Sequence, residues 1–443
     1  MADSVGREID GGLAFMTSYK EMSKDQLLEQ SAALKKEYEN YKALGLKLDM
    51  SRGKPSPEQL DLSMGMLDVL KSTDSMILEN GMDARNYGQL EGIPEARRLF
   101  AEVMGIDEDE VFIGGNSSLN MMYDAVSRAM VFGFPGSEKP WGQQKKIRFL
   151  CPVPGYDRHF GICEVFGIQM INVPMTPDGP DMTLVESWVN NDETVKGIWC
   201  VPQYSNPDGI TYSDETVRRF ANLKPAASDF RIFWDNAYCV HHLSDDHPKL
   251  LNLMDECKKV GSEDMVIMFC STSKISFSGA GVAAIGCSRR NMEQLKQKVA
   301  MQTISFDKLN QLRHVRFFKD LHGIEEHMLK HRALLKPRFQ TVIDTFHREL
   351  DGCGIAAWTE PKGGYFISVD VMDGCAARVI ELCKEAGVTL TGAGCAFPYH
   401  KDPRDRNIRI APSYPTIDEL KKASEIFTVC CKLAAVEKLM QEA

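Results

Sequence analysis

Between residues 146 and 287, short runs of almost unbroken apolar residues alternate with segments of helical periodicity. No other feature constrains the fold as tightly. The runs 146–151, 195–202, 230–234, 265–270 and 282–287 have the length of strands. A strand that is apolar at nearly every position is buried on both faces, so the pattern predicts a largely parallel sheet covered by helices on both sides. Ligands of such sheets bind beyond the carboxyl ends of the strands. The polar residues that follow the runs gather at that edge: Tyr156, Asn206, Asp235, Tyr238, Ser271 and Lys274.

Lys274 closes the run Met268-Phe269-Cys270-Ser271-Thr272-Ser273-Lys274. A lone lysine is ordinarily solvated. At the end of a buried strand, desolvation lowers its pKa and makes the neutral amine accessible, the setting a Schiff-base lysine needs. Upstream, Val111-Phe112-Ile113-Gly114-Gly115-Asn116-Ser117-Ser118 runs into a helix expected over about 119–130. Free N–H groups at that helix start, with the Ser117 and Ser118 hydroxyls, form a natural anion seat, although Ser and Asn are also favoured N-caps.

The rest of the chain frames this core. Ser23 and Gln26 make a capping box opening a helix to about residue 44, with Leu27, Leu28, Ala32 and Leu34 on its apolar face. Past about residue 307 the sequence turns helical to residue 350, with Pro337 expected to start or kink a helix. Strands at 363–369 and 407–411 belong to a second, smaller sheet, and Thr416 to Glu419 cap a final helix. The expected division is a large domain over 76–310 and a small α+β domain from 1–75 and 311–443, with the N-terminal helix against the C-terminal part.

Composition narrows the partners. The 443 residues are 43% hydrophobic and 26% charged, the balance of a soluble globular protein. A net charge of −10 with no basic block argues against nucleic acid. No apolar run is long enough to span a membrane, and residues 1–10 lack the apolar core of a signal peptide. The 13 cysteines show no C-x-x-C pairs or metal spacing, which fits reduced thiols in the cytoplasm and no metal site.

These residues together meet the needs of pyridoxal 5'-phosphate. Lys274 supplies the amine for its aldehyde, and Asp235 the carboxylate that keeps its ring nitrogen protonated. Asn206 and Tyr238 are donors for its phenolic oxygen, and Tyr156 is a flat neighbour for its ring. Ser117, Ser118 and Ser271 are hydroxyls for its phosphate.

With these residues in view, the chain resembles the fold-type I, class I/II aminotransferases, specifically the aspartate aminotransferases related to the aminotransferase domain of MocR regulators. The resemblance rests on five motifs in the family's order: Tyr87-Gly88-Gln89-Leu90-Glu91-Gly92, Ser205-Asn206-Pro207-Asp208-Gly209 (in place of the common Asn-Pro-Thr-Gly), Asp235-Asn236-Ala237-Tyr238, Ser271-Thr272-Ser273-Lys274 and Arg409-Ile410-Ala411-Pro412. It implies the pyridoxal phosphate-dependent transferase fold and transamination of amino-acid and 2-oxo-acid substrates, with glutamate and 2-oxoglutarate as the usual pair. It also implies that Arg409 and Asn206 bind the substrate, and that Tyr87 reaches the phosphate of the neighbouring subunit in a homodimer. The turn Ser51-Arg52-Gly53-Lys54-Pro55 becomes a substrate-proximal loop. There Arg52 or Lys54 either reads a second carboxylate, making aspartate the substrate, or merely solvates a turn. MocR regulators carry a DNA-binding domain ahead of this core, for which the first 50 residues are too few and too acidic. One departure stands out: the family commonly places a phosphate-binding Arg eight residues after the lysine, where this chain has Val282. Ser276 and Ser278 are the candidate replacements.

Other readings fit less well. Ser271-x-x-Lys274 matches the penicillin-binding hydrolases, but no Ser-Asp-Asn or Lys-Thr-Gly follows. Gly279-Ala280-Gly281-Val282-Ala283-Ala284 precedes a strand rather than opening a helix, against a dinucleotide fold. For a non-enzymatic binding module, a perturbed lysine facing an aspartate would be a costly ornament. A pyridoxal phosphate β-lyase, or an aminotransferase for alanine, aromatic residues or 2-aminoadipate, remains the alternative.

Overall fold

The computed structural model describes residues 18–442. The stretch 1–10, from which no export signal is expected, lies outside them. Eight strands form the main sheet: Val111–Ile113 (β1), Arg148–Val153 (β2), Gln169–Thr176 (β3), Gly179–Pro180 (β4), Val195–Cys200 (β5), Arg231–Asp235 (β6), Val266–Ser271 (β7) and Ala283–Cys287 (β8). Their order is β1-β8-β7-β6-β5-β2-β3-β4, with every pairing from β3 through β7 parallel. Alternate residues feed two apolar layers: Ile232 and Trp234 join one, and Phe233 joins the other with Phe149, Trp199 and Phe269. Both faces are therefore covered, as unbroken apolar strands require.

Three features depart from the sequence reading. First, β8 runs antiparallel to β7, and β1 antiparallel to β8. The link from Ser271 to Ala283 is too short for the crossover a parallel partner needs. Second, β3 has no counterpart among the expected strands. Asn172 and Pro174 interrupt its apolar pattern, yet it pairs with all of β2. Third, the helical region after residue 307 breaks at Lys319, whose φ of 70° ends Lys308–Phe318, and Asp320 caps Leu321–Leu350. Pro337 lies inside that second helix and does not start it.

Helices Lys24–Ala43 (α1), Pro94–Met104 (α2), Ser118–Phe132 (α3) and Asp157–Val165 (α4) are followed by Lys308–Phe318 (α5), Leu321–Leu350 (α6), Ala376–Glu385 (α7) and Ile417–Glu442 (α8). The capping box of Ser23 and Gln26 is present. Leu27, Leu34 and Tyr38 of α1 are buried in the core shared with α8, whereas Leu28 and Ala32, expected on the same face, are exposed. The Tyr38 hydroxyl donates to the Leu382 carbonyl of α7. The N-terminal helix thus joins the C-terminal elements, as expected.

A second sheet is antiparallel: Ala356–Trp358 (β9), Ile367–Val371 (β10) and Asn407–Ile410 (β11), in the order β9-β10-β11. Its middle strand starts four residues later than the expected 363–369. Gly363 and Gly364 serve another purpose, close approach to the main-sheet loops. A Cβ on Gly363 would lie 2.3 Å from the Tyr204 ring, and Gly364 N–H donates to the His241 carbonyl. The two sheets therefore meet where the strand-end loops of the larger one lie. The cysteines of the main sheet, Cys151, Cys200, Cys270 and Cys287, are buried free thiols. Among the described residues, no helix is long and apolar enough to cross a membrane.

Candidate active site

A cavity of about 230 Å³ opens at the carboxyl ends of β2, β5, β6 and β7. Ser117, Ser118, Tyr156, Asn206, Asp235, Tyr238, Ser271 and Lys274 all line it. The eight residues assigned to the cofactor from this chain's own core, drawn from positions 117 to 274, are thus brought to one place. The parallel topology does this: each strand delivers its last residues to the same edge.

Asp235 ends β6 with its side chain only 4% exposed. Its Oδ2 lies 3.1 Å from His159 Nε2, and its buried Oδ1 has no partner among the described residues. His159 in turn stacks on Trp199 at 4.5 Å and 10°, and Tyr156 packs edge-on against it at 4.9 Å. The imidazole therefore holds one carboxylate oxygen and leaves the other free. The sequence reading missed His159. Its signal was the i, i+3 spacing from Tyr156 in the first turn of α4, which puts both residues on one face.

Lys274 is half-buried, and its Nζ lies 5.1 Å from the Tyr238 ring centroid and 5.9 Å from that of Tyr365. Desolvation lowers its pKa from the ordinary lysine value; Asp235 opposes the shift, and Arg409 adds to it. Burial raises the Tyr238 phenol well above its usual range, so it remains a proton donor. Burial, then the charge of Asp235, raises Tyr156 to about 12.

At the other end of the cavity, Ser117 is the N-cap of α3, but its hydroxyl does not bond the helix. The Ser271 hydroxyl donates to Ser273, which donates to the Asn116 carbonyl, tying the lysine loop to this helix start. Ser278 lines the cavity. Ser276 does not: it is fully buried, with its hydroxyl bonded to Thr272 and His314. It is unsuited to the phosphate role expected for it, because α5 brings His314 against the opposite side of the lysine loop. Val282 is buried in the apolar core.

Arg409 reaches the site from β11, facing Ser368 on β10. Its guanidinium lies 4.8 Å above the Phe366 ring, and Nη1 donates to Asp157 Oδ1 at 3.0 Å and Asn206 Oδ1 at 3.3 Å. Gly53 packs on the same ring: a Cβ there would come within 2.4 Å of Phe366 Cζ. Arg52 is exposed, whereas Lys54 Nζ sits 3.7 Å from the Tyr414 ring centroid. Tyr87 is 75% exposed and does not line its own chain's cavity.

The unpartnered Asp235 Oδ1, the lysine of lowered pKa and the free hydroxyls at the start of α3 fit pyridoxal phosphate. An acceptor stands ready for a ring N–H, an amine for an aldehyde, and a positive helix end with O–H donors for a phosphate.

The aspartate amino-transferase family profile matches residues 22–443. The chain is 45% identical to an aminotransferase of Mycolicibacterium smegmatis, over 96% of this chain and 99% of that protein. It is 43% identical to an aspartate aminotransferase of Corynebacterium glutamicum, over 91% of this chain and 93% of the relative. The crystal structure of an aspartate transaminase from Corynebacterium glutamicum superposes with a TM-score of 0.93 at 42% identity, covering 95% of this chain and 99% of the other. With the fold, the strand-end cavity and the lysine–aspartate pair in place, this chain belongs to the aspartate aminotransferase family of fold-type I enzymes and is a pyridoxal phosphate-dependent aminotransferase.

Proposed function

We propose that the enzyme transfers the amino group of L-aspartate to 2-oxoglutarate in a ping-pong reaction at the Lys274 cavity. The observation that carries the chemistry is the free Oδ1 of Asp235 in the same cavity as the Lys274 amine. Bound pyridoxal phosphate supplies the aldehyde that takes the amino group and the ring that accepts the electron pair released at the substrate Cα.

The protein's own groups then have distinct tasks. Asp235 Oδ1 accepts the ring N–H, and His159 fixes the carboxylate through Oδ2. Tyr238 and Asn206 donate toward the phenolic oxygen. Asn206 Oδ1 already accepts from Arg409, so its Nδ2 is the group left to donate. Tyr156 flanks the ring. Ser117, Ser118 and Ser271, with the start of α3, hold the phosphate, and Ser278 assists. Lys274 Nζ, its pKa lowered by desolvation, is the base that takes the Cα proton and would deliver it across the nitrogen to the carbon of the former aldehyde. General acid–base catalysis of this kind contributes about 10²–10⁴-fold.

Arg409 binds the α-carboxylate and Arg52, next to Gly53, the side-chain carboxylate. Tyr87, so exposed on its own chain, acts on the phosphate of a second copy in a cytoplasmic homodimer. This reading takes 76–310 as the large domain and 1–75 with 311–443 as the small one. The family resemblance and the aspartate transaminase of 42% identity support it.

Two measurements test the proposal. Holoenzyme should absorb near roughly 360–430 nm and lose that band on borohydride reduction. Lys274→Ala should retain the cofactor without a reducible linkage and lose most turnover; an active Lys274→Ala would refute its role. For the substrate, kcat/KM for aspartate should exceed that for alanine and phenylalanine. Arg52→Ala should erase roughly 10–150-fold of that preference, the worth of one charge-assisted contact. An unchanged preference would place the second cation elsewhere.

A further inference from the structure

Asp157 is the first residue of α4, where an acidic side chain is ordinarily explained by the helix dipole. Here its carboxylate has a more specific engagement. Oδ1 accepts from Arg409 Nη1 at 3.0 Å, across 252 residues of chain, and the side chains are 25% and 7% exposed. Pairs this enclosed are distinct from the surface ion pairs that contribute little.

The guanidinium is constrained in two independent ways. Phe366, 4.8 Å away and backed by Gly53, sets the plane. Asp157 and Asn206, both accepting from Nη1, set the rotation within that plane. What remains is one edge. Nε is buried with no partner among the described residues, and no acceptor there meets Nη2. A carboxylate is bound bidentately by two parallel N–H groups, and Nε with Nη2 is such a pair.

We propose that Asp157 is a positioning residue for substrate: it fixes Arg409 through Nη1 so that the Nε–Nη2 edge is presented to the α-carboxylate. This rests on the reading of Arg409 given above. Asp157 does not compete with the substrate, because it occupies the nitrogen that the bidentate contact leaves unused. It also partly neutralises Arg409 before substrate arrives, so selectivity comes from the orientation of the edge more than from net charge. Every amino-acid and 2-oxo-acid substrate carries the α-carboxylate, so the effect is common to all of them.

The test uses cofactor-loaded enzyme with maleate, an unreactive dicarboxylate, as the probe in calorimetric titration. Asp157→Ala should raise the Kd for maleate by about tenfold, the low end of what a hydrogen bond to a charged group contributes. KM for aspartate and for alanine should rise by similar factors, with kcat changed much less. Asp157→Asn, which keeps the Oδ1 acceptor, should stay within a few-fold of wild type in Kd and KM. A merely structural role would produce neither the KM-against-kcat split nor the asparagine rescue. If Asp157→Ala does not fold, Asp157→Ser, whose oxygen falls short of Nη1, takes its place. Unchanged or tighter maleate binding in Asp157→Ala, or an Asp157→Asn variant as weak as alanine, would overturn the proposal. Arg409→Lys separates the two layers. If it binds maleate like wild type, the Arg409 reading fails; if it binds weakly while Asp157→Ala does not, only the role of Asp157 fails.

Discussion

Two residues at family positions carry chemistry that the family's usual side chains would not. Val282 stands eight residues after the lysine and is 2% exposed in the apolar layer that includes Cys270 and Ala284. Val282→Arg would bury a guanidinium among these groups, and an unpaired buried charge costs several kcal/mol. The expected outcome is a clearly lower melting temperature and no gain in cofactor affinity, read by calorimetry and fluorescence titration; tighter binding with unchanged stability would contradict it. Asp208, in place of the common Thr, is largely enclosed, and burial raises its pKa to about 7; Asp370 adds to the rise and Ser368 opposes it. The folded carboxyl therefore holds its proton in a range where the unfolded one has lost it. By linkage, its contribution to stability falls as pH rises from about 4 to about 7 and is flat above. Asp208→Asn should then stabilise the protein at pH 8 by at most about 4 kcal/mol, with the advantage shrinking toward pH 4. Melting curves across that range would show it, and a pH-independent difference would argue against a protonated Asp208.

At the scale of elements, the site depends on a turn meeting a strand. The segment before Gly53 is stitched to the second sheet and its neighbours, with Met50 N–H donating to the Thr389 carbonyl and Ala411 N–H to the Met50 carbonyl. Gly53 then lets Phe366 lie under Arg409. Gly53→Ala would press its Cβ on that ring and tilt the platform of the guanidinium. The expected result is a KM increase of roughly tenfold for aspartate and alanine alike, since a misplaced charged hydrogen bond forfeits at least that much. A loss confined to dicarboxylates would instead tie Gly53 to Arg52. The sequence read these elements unevenly. The capping box of α1 and the strands β5, β6 and β7 were legible because each is encoded locally, by a cap or an apolar run. Strand β3 was not, because Asn172 and Pro174 sit in it and its identity comes from pairing with β2. The division of α5 from α6 rests on the backbone of Lys319, a residue with no turn preference of its own.

For the whole molecule, the exposed Tyr87 makes a prediction about assembly. If it serves the site of a second copy, a cyclic dimer carries two composite sites. Tyr87→Phe and Lys274→Ala, each impaired alone, should regain activity when co-refolded, because mixed dimers contain one site with both native residues. Random pairing sets the recovery at about a quarter of wild type; no recovery would place Tyr87 outside the site. Fold class, the strand-end placement of Tyr156, Asn206, Asp235, Tyr238 and Lys274, and the expectation of pyridoxal phosphate came from the sequence alone. They follow from local apolar pattern and from residue types that few chemistries require together. The tertiary structure decided the rest. It set His159 behind Asp235, turned Ser276 toward His314, withdrew Lys54 onto Tyr414, and paired Asp157 with Arg409. Each of these is a choice between partners far apart in the chain. Side-chain type limits such partners to a chemical class, and only the packing of sheets and helices brings one of them within hydrogen-bonding distance.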